Sequence, residues 1–259
     1  MESPLPEVEE RIQQAAQIMR TRDHGVALTG AGISTPSGIP DFRSTGSGLW
    51  TRYQPMEVAS LTAFRYHPEK FYQWLRPLAN QMFSAEPNEA HLALAQLEEN
   101  HRISTVITQN IDTLHQKAGS ENILEVHGTL ETLSCIACFR QVRATEDIIS
   151  SLIEEGKVPR CPDCGAVLKP DVVLFEEQLP AKIWRKAKIC SQKCSFMLIL
   201  GSSLTVTPVS SLPLEALASG ALLIIINQSE TYLDERADVV IHDDVANILP
   251  AITQKVLYG

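Results

Sequence analysis

Four cysteines stand in two pairs, Cys135-x2-Cys138 and Cys161-x2-Cys164, with 22 residues between the pairs. Each Cys-x-x-Cys sits on a tight knuckle that aims two thiolates at one tetrahedral ion, and Gly165, directly after the second pair, favours such a turn. Four sulfur ligands leave no open coordination position, so the ion expected is a structural zinc. Two disulfides or a redox Cys-x-x-Cys are the competing readings. Cys190 and Cys194, four residues apart, are expected as core or surface thiols.

A second set of residues could handle a nucleotide. The run GAGIST, residues 30–35, follows the apolar stretch GVALT. Gly30 and Gly32 allow a backbone to turn tightly and approach a pyrophosphate. The third glycine of a G-x-G-x-x-G fingerprint is missing, because Thr35 stands there, and no strand ending in an acid follows about 20 residues later. Hydride-transfer enzymes fit poorly, and a tight turn without a ligand stays open. Gln109, Asn110 and Asp112 fall at the C-terminal end of a predicted strand, where open α/β sheets bind ligands. Asn110 as a helix cap and Asp112 at a helix's positive end explain the same residues without one. His127, next to Gly128, suits a general base, although a lone histidine is more often a structural hydrogen-bonding group.

The elements that must position these groups alternate. Apolar periodicity predicts a helix over 7–21, carrying Ile12, Ala15, Ala16 and Met19, and then a strand GVALT. A helix near 88–99, a strand ISTVIT at 103–108 and a short helix closed by Gly119 follow. Beyond residue 170 the pattern resumes with a helix from about Pro180 to Lys188, strand FMLIL, helix PVSSLPLEALASG, strand LLIII, and ADVVI before a helix over 243–257. Such alternation predicts an α/β fold with a mostly parallel sheet covered on both faces. Residues 45–100, rich in aromatics, and 131–170, with four of the six cysteines, interrupt it and read as a smaller inserted lobe, with a ligand cleft between the lobes.

A net charge of -9 repels phosphate backbones, so nucleic acid is not an expected partner, whereas a lysine-bearing peptide meets no such repulsion. FMLILG and ALLIII are too short to span a bilayer, which needs about 20 residues. The acidic start MESPLPEVEERIQQ is unlike a signal peptide, and the expectation is a reducing, cytoplasmic compartment.

Taken in order, GAGIS…GIPDFR, TQNID, the following LH and AG, HG, the four-cysteine set, GSSL.V.P and IIN resemble the sirtuins, the NAD-dependent protein lysine deacylases, over roughly residues 8–257. The chain is most similar to minimal-core deacetylases of prokaryotic type. The resemblance implies a Rossmann-like NAD-binding lobe (1–44, 101–130, 171–259) and a small lobe made of a helical module (45–100) and a zinc ribbon (131–170), with Cys135, Cys138, Cys161 and Cys164 as ligands. NAD, consumed as co-substrate, and an acyl-lysine protein segment are implied to enter the cleft from opposite sides.

Residue by residue, the resemblance implies that Gly30 and Gly32 approach the pyrophosphate. Ala31, Ile39, Ile111 and Asp112 line the nicotinamide pocket. Phe42 shields the ribose face, and Arg43 lies near the phosphates. Gly201, Ser202 and Ser203 hold phosphate and ribose, Asn227 the adenosine ribose and Val245 the adenine. Gln109 is implied to orient the ribose and Asn110 an ordered water. His127 is implied to be the general base that lets the 2′-oxygen attack the alkylamidate formed when the acyl-lysine carbonyl displaces nicotinamide. Products are lysine, nicotinamide and 2′-O-acyl-ADP-ribose.

The segment VVLFEEQLP resembles the family's substrate strand, with Val172, Val173 and Phe175 expected to flank acyl-lysine or pair with peptide backbone. Glu176 stands where the family usually has glycine, which bears on peptide choice and not on the chemistry. In desuccinylating members a tyrosine and an arginine of the helical module bind the acyl carboxylate. Leu75 and Leu78 stand at those places here, with Arg76 out of step, so acetyl and longer apolar acyl groups are expected over succinyl. Mono-ADP-ribosyl transfer and a non-enzymatic NAD-sensing or zinc-ribbon interaction module are the alternatives. A monomer is compatible with the sequence.

Overall fold

The computed structural model describes residues 6–42 and 48–259. The expected Arg43 lies outside them. The chain opens with α1 (Pro6–Thr21), whose Ile12, Ala15, Ala16 and Met19 are buried as their helical spacing requires. Strand β1 (Gly25–Thr29) follows, and then two 3-10 turns, Ala31–Ile33 and Thr35–Ser37, in place of a regular helix. Gly32, Pro36 and the left-handed Gly38 (φ 85°) keep that segment from propagating as α-helix.

The helical stretch comprises α2 (Pro55–Val58), α3 (Leu61–Tyr66), α4 (Pro68–Ser84) and α5 (Glu89–Glu99). Next come β2 (Ile103–Thr108), α6 (Leu114–Lys117), β3 (Ile123–Glu125), β4 (Gly128–Cys135), β5 (Gln141–Arg143), α7 (Glu146–Ile153) and β6 (Leu168–Val172). The chain finishes with α8 (Ala181–Lys193), β7 (Phe196–Leu200), α9 (Leu212–Ala218), β8 (Leu222–Ile226), β9 (Val239–Ile241) and α10 (Val245–Tyr258).

Six strands form one parallel sheet in the order β3-β2-β1-β7-β8-β9. Two apolar clusters cover its faces. One joins α1, α5 and α10; the other joins α8 and α9. Buried on both sides, β1, β7 and β8 read in sequence as unbroken apolar runs. From β1 the strand order runs outward to β3 on one side and from β7 to β9 on the other, so a crevice opens between the carboxyl ends of β1 and β7.

A separate apolar cluster surrounds Phe64, Phe71, Tyr72, Leu75 and Leu78, and a small one surrounds Cys135 and Cys161 in the antiparallel sheet β5-β4-β6. Phe64 and Phe71 are fully buried, each contributing about 1.5–3 kcal/mol of hydrophobic stabilisation. Three details differ from the sequence reading. Ala90, Ala93, Leu94 and Leu97 of α5 pack with the large sheet, so residues 89–99 do not share the core of the helical module. Positions 130/131 and 170/171 fall inside β4 and β6, which run between the lobes. Helix α8 continues to Lys193, because its apolar stripe extends through Cys190 to Cys194, and the 208–220 segment is a 3-10 turn followed by α9.

Candidate active site

At the sheet's crevice two loops interlock through glycine. The Gly32 amide donates to the Gly201 carbonyl at 2.9 Å, and a Cβ on Gly32 would lie 2.8 Å from the Gly201 Cα. Gly201 itself has φ 56°, and a Cβ there would meet the Ile33 nitrogen at 2.3 Å. These glycines therefore let the ends of β1 and β7 touch, and their packed backbones form the floor of a cavity of about 1260 Å³.

The cavity collects almost every residue singled out in the sequence. Gly30, Ala31, Gly32, Ile39 and Phe42 line it from the β1 side, and Gln109, Asn110, Ile111, Asp112 and His127 from the β2 and β3 ends. Gly201, Ser202, Ser203, Asn227 and Val245 line the far half, beyond the switch point. Leu75, Leu78, Val172, Val173 and Phe175 line the side of the small lobe.

Asp112 is buried, with Oδ2 accepting from the Ser34 hydroxyl at 2.7 Å and Oδ1 from the Leu114 amide at 3.0 Å. Burial pushes its pKa up, and these bonds oppose the shift. Asn110 Nδ2 donates to Ser34 Oγ at 3.0 Å and to the Gly30 carbonyl at 3.1 Å, tying the β2 end to the β1 loop. Gln109 Nε2 donates to Ser202 Oγ at 2.9 Å and so joins the same end to the β7 loop. His127 is half-buried, and its Nδ1 lies 3.0 Å from the Gln109 carbonyl. A carbonyl only accepts, so Nδ1 carries a proton, and Nε2 is the nitrogen that accepts one when the ring acts as a base. Gly128 is required beside it: at φ 80° an added Cβ would meet the Asp171 carbonyl oxygen at 2.0 Å.

Beneath this floor lies a polar network that the sequence reading missed. His91 approaches Ser34 at 3.4 Å and accepts at Nδ1 from the Asn88 amide, while Asn88 caps α5 and donates to the Ile33 carbonyl. His115 lies 3.0 Å from Thr29, whose hydroxyl donates to Thr108, which in turn accepts from the Asn110 amide. Burial lowers the pKa of His91 to about 4 and, with the neighbouring His91, that of His115 to about 3. A histidine on an apolar helix face reads as core from sequence alone. Only the N-cap three residues before His91 signals that the ring has a polar duty.

An aromatic wall closes the side of the small lobe. Trp50 stacks on Trp74 with centroids 5.7 Å apart, meets Phe42 at 5.3 Å and meets Phe175 edge-on at 6.0 Å. Arg76, two positions beyond Trp74, turns away: its Nε and NH2 donate to the Ile153 and Glu154 carbonyls at 2.7 and 2.9 Å. Glu176 adopts φ 74°, a conformation that explains glycine at this position, and its exposed carboxylate accepts from the Thr62 amide at 2.9 Å.

The four ligand sulfurs of Cys135, Cys138, Cys161 and Cys164 lie within 4.8 Å of one another. Sulfur separations of 3.4 and 3.6 Å are close to the edge of about 3.8 Å that a tetrahedron with 2.3 Å Zn–S bonds requires. The Ala137 and Cys138 amides both point at the Cys135 sulfur, as a thiolate needs. The donor set fits zinc. Cys190 and Cys194 take no part in it and pack against the sheet.

An α/β sheet with its ligand crevice at the switch point, a small lobe bearing a four-cysteine site and one cleft shared by both defines a two-lobed nucleotide-binding protein. Residues 30–208 match the Sir2 family, and the chain belongs to it. It is 41% identical to NAD-dependent protein deacylase 2 of Archaeoglobus fulgidus over 96% of this chain and 97% of that one. It is 43% identical to the NAD-dependent protein deacetylase of Thermotoga maritima over 89% and 92%. A solved Sir2 complex with deacetylated p53 peptide and 3′-O-acetyl ADP ribose superposes with a TM-score of 0.88 at 40% identity, covering 94% of this chain and 98% of that one. No helix among the described residues is long and apolar enough to cross a membrane.

Proposed function

We infer that this chain is an NAD-dependent protein lysine deacetylase that transfers the acyl group from lysine to ADP-ribose and releases nicotinamide. One observation carries the reading: Asn110, Asp112 and a His127 fixed in its Nδ1–H form face the same cleft as the glycine floor. The names of the relatives, and the peptide and acetyl-ADP-ribose in the matching complex, support it. Mono-ADP-ribosyl transfer and an idle NAD sensor gain no support from them.

The residues divide the work as follows. Asp112, whose Oδ2 accepts from Ser34 and whose Oδ1 accepts from Leu114, offers its remaining lone pairs to the nicotinamide carboxamide, with Ala31, Ile39 and Ile111 as apolar walls. Expelling nicotinamide requires attack by the acyl-lysine carbonyl oxygen, which Val172, Val173 and Phe175 align through strand pairing. Phe42 then screens the sugar from water. His127 Nε2 takes a proton from the ribose diol, and the freed oxygen attacks the acyl carbon. The C–N bond breaks with the lysine amine leaving protonated, and one water adds to the bridged acyl carbon, whose collapse leaves the ester on O2′ and a hydroxyl at C1′. An ester on one hydroxyl of a cis-diol migrates to its neighbour, so a 3′ ester in the matching complex is compatible with attack through O2′. Gln109 and Asn110 hold the loop that presents these groups. Gly201, Ser202, Ser203, Asn227 and Val245 take the phosphate and adenosine end, and the family resemblance also gives Arg43 a role toward the phosphates.

The division into an NAD-binding lobe and a small lobe of helical and zinc-ribbon modules draws support from their separate apolar clusters. Zinc, held by the four cysteines, supplies stability and no reactive position. Four cysteines gathered as metal ligands suit a reducing compartment such as cytoplasm. The test is a panel of acyl-lysine peptides incubated with and without NAD, with products weighed by mass spectrometry. Peptide loss of an acyl group only with NAD, with equal nicotinamide and acyl-ADP-ribose, is expected; ADP-ribose attached to the peptide would reject the reading.

A further inference from the structure

Helix α8 departs from the charge of the rest of the chain. Its 13 residues contain Lys182, Arg185, Lys186, Lys188 and Lys193 and no acid, in a protein whose net charge is -9. The distribution around the helix is equally uneven. Ile183, Ala187, Cys190 and Cys194 face the apolar cluster beneath the sheet, while Lys182, Arg185 and Lys186 near the start of the helix and Lys193 at its end are exposed outside that apolar face. Lys188 is neutralised by Glu215 at 3.1 Å. Among the described residues, Lys182, Arg185, Lys186 and Lys193 form no ion pair with an acid.

The stripe begins beside the substrate groove. Helix α8 starts directly after the substrate segment, and its Arg185 lines the same cavity as Val173, Phe175 and His127, whereas Lys182, Lys186 and Lys193 lie outside that cavity and carry the positive charge onward along the helix surface. Of the two acids that precede the helix, Glu177 is paired with Lys169 at 3.0 Å, and Glu176 is held toward α3 by the Thr62 amide.

We propose that the exposed face of α8 is a docking surface for an acidic segment flanking the acyl-lysine in the protein substrate. The proposal rests on the deacylase reading of the cleft. Charge complementarity selects the occupant, since a chain whose overall field repels polyanions attracts acids only where cations are clustered. The rise of an α-helix, about 1.5 Å per residue, sets Lys182 and Lys193 about 16 Å apart, which about five residues of extended peptide span. The surface therefore reads a short acidic run, not a single glutamate.

The experiment compares acetyl-lysine peptides with four glutamates, four serines or four lysines placed on either the N- or the C-terminal side. On one of the two sides the glutamate peptide is expected to show a KM below that of the lysine peptide by about tenfold, the lower end of the range for electrostatic steering. The difference should vanish between about 0.01 M and about 1 M salt, as the screening length falls from about 30 Å to about 3 Å. The triple variant Lys182→Glu, Lys186→Glu, Lys193→Glu should reverse the preference while leaving the melting temperature, the KM for NAD and kcat on the serine peptide unchanged. Equal KM values for all flanks, or a preference that survives the triple variant, would overturn the proposal. Fluorescence anisotropy of the labelled peptides separates the two readings: an acidic preference in binding without turnover would strike the deacylase reading alone. Duplex DNA displacing the glutamate peptide at equal phosphate and carboxylate concentration would overturn the assignment to acidic protein.

Discussion

His127 donates through Nδ1 to the carbonyl oxygen of Gln109 at 3.0 Å, so the residue that holds the imidazole belongs to the loop that also carries Asn110 and Asp112. One backbone carbonyl thus sets which ring nitrogen can accept a proton. His127→Ala is expected to lower kcat by about 100- to 10,000-fold, the usual worth of a positioned base, with NAD affinity kept. Single-turnover kinetics with titration calorimetry checks both; near-normal turnover would remove His127 from the chemistry.

Asp112 accepts from Ser34 on one oxygen and from Leu114 on the other. Asp112→Asn has only one accepting oxygen, and its amide must face one of those two donors. Leaving a buried donor unmet costs about 1–3 kcal/mol. A melting temperature lower by about 2–4 °C per kcal/mol is expected, together with a raised KM for NAD. An unchanged melting point would mean that the Ser34 contact does not hold this side chain.

His91 and His115 are buried neutral, with pKa values lowered to about 4 and about 3 from the usual 6.5. Between pH 6.5 and those values the unfolded chain binds more protons than the folded one, so stability rises with pH there and is lost as pH falls. Urea midpoints should decline from pH 6.5 toward pH 4, and His91→Gln should flatten that slope. A midpoint independent of pH across this window would contradict the assigned neutrality.

Cys161→Ser leaves three thiolates around the ion and places a hydroxyl in a buried corner. Zinc binding to a structural site is folding free energy, so lower zinc content and a lower melting temperature are expected together. Metal analysis with calorimetry reads both, and full zinc with unchanged melting would refute a structural site.

Arg76 spends its guanidinium on the Ile153 and Glu154 carbonyls, which leaves Leu75 and Leu78 as apolar lining. A succinyl carboxylate would be buried unpaired. Acetyl-lysine should exceed succinyl-lysine in kcat/KM by at least about tenfold, since an unmatched charge costs more than 1.4 kcal/mol. Arg76→Ala should lower stability without changing that ratio; a ratio near one in the parent protein would place a cation in the channel.

The large lobe was legible because its strands are buried on both faces: GVALT, FMLIL and LLIII can be little else than central parallel strands. The small antiparallel sheet was not, since Gly128–Cys135 alternates weakly and Gln141–Arg143 is a three-residue strand. Local spacing announced the four-cysteine site, whereas Ser34 gains its meaning only from His91 and Asp112, 57 and 78 positions away, and His115 from Thr29, 86 positions away. In the sequence, the glycines of GAG fit either a close approach to a pyrophosphate or a tight turn without a ligand. Their packing against Gly201 shows a second requirement that a single segment cannot reveal.

The chain has three tryptophans, and Trp50, Trp74 and Trp184 all border the one cavity. Its ultraviolet emission is consequently a built-in gauge, whose colour and intensity respond to the polarity of that space. Filling the cleft from either side should register optically without a dye, which turns every titration described above into one that the protein can record for itself.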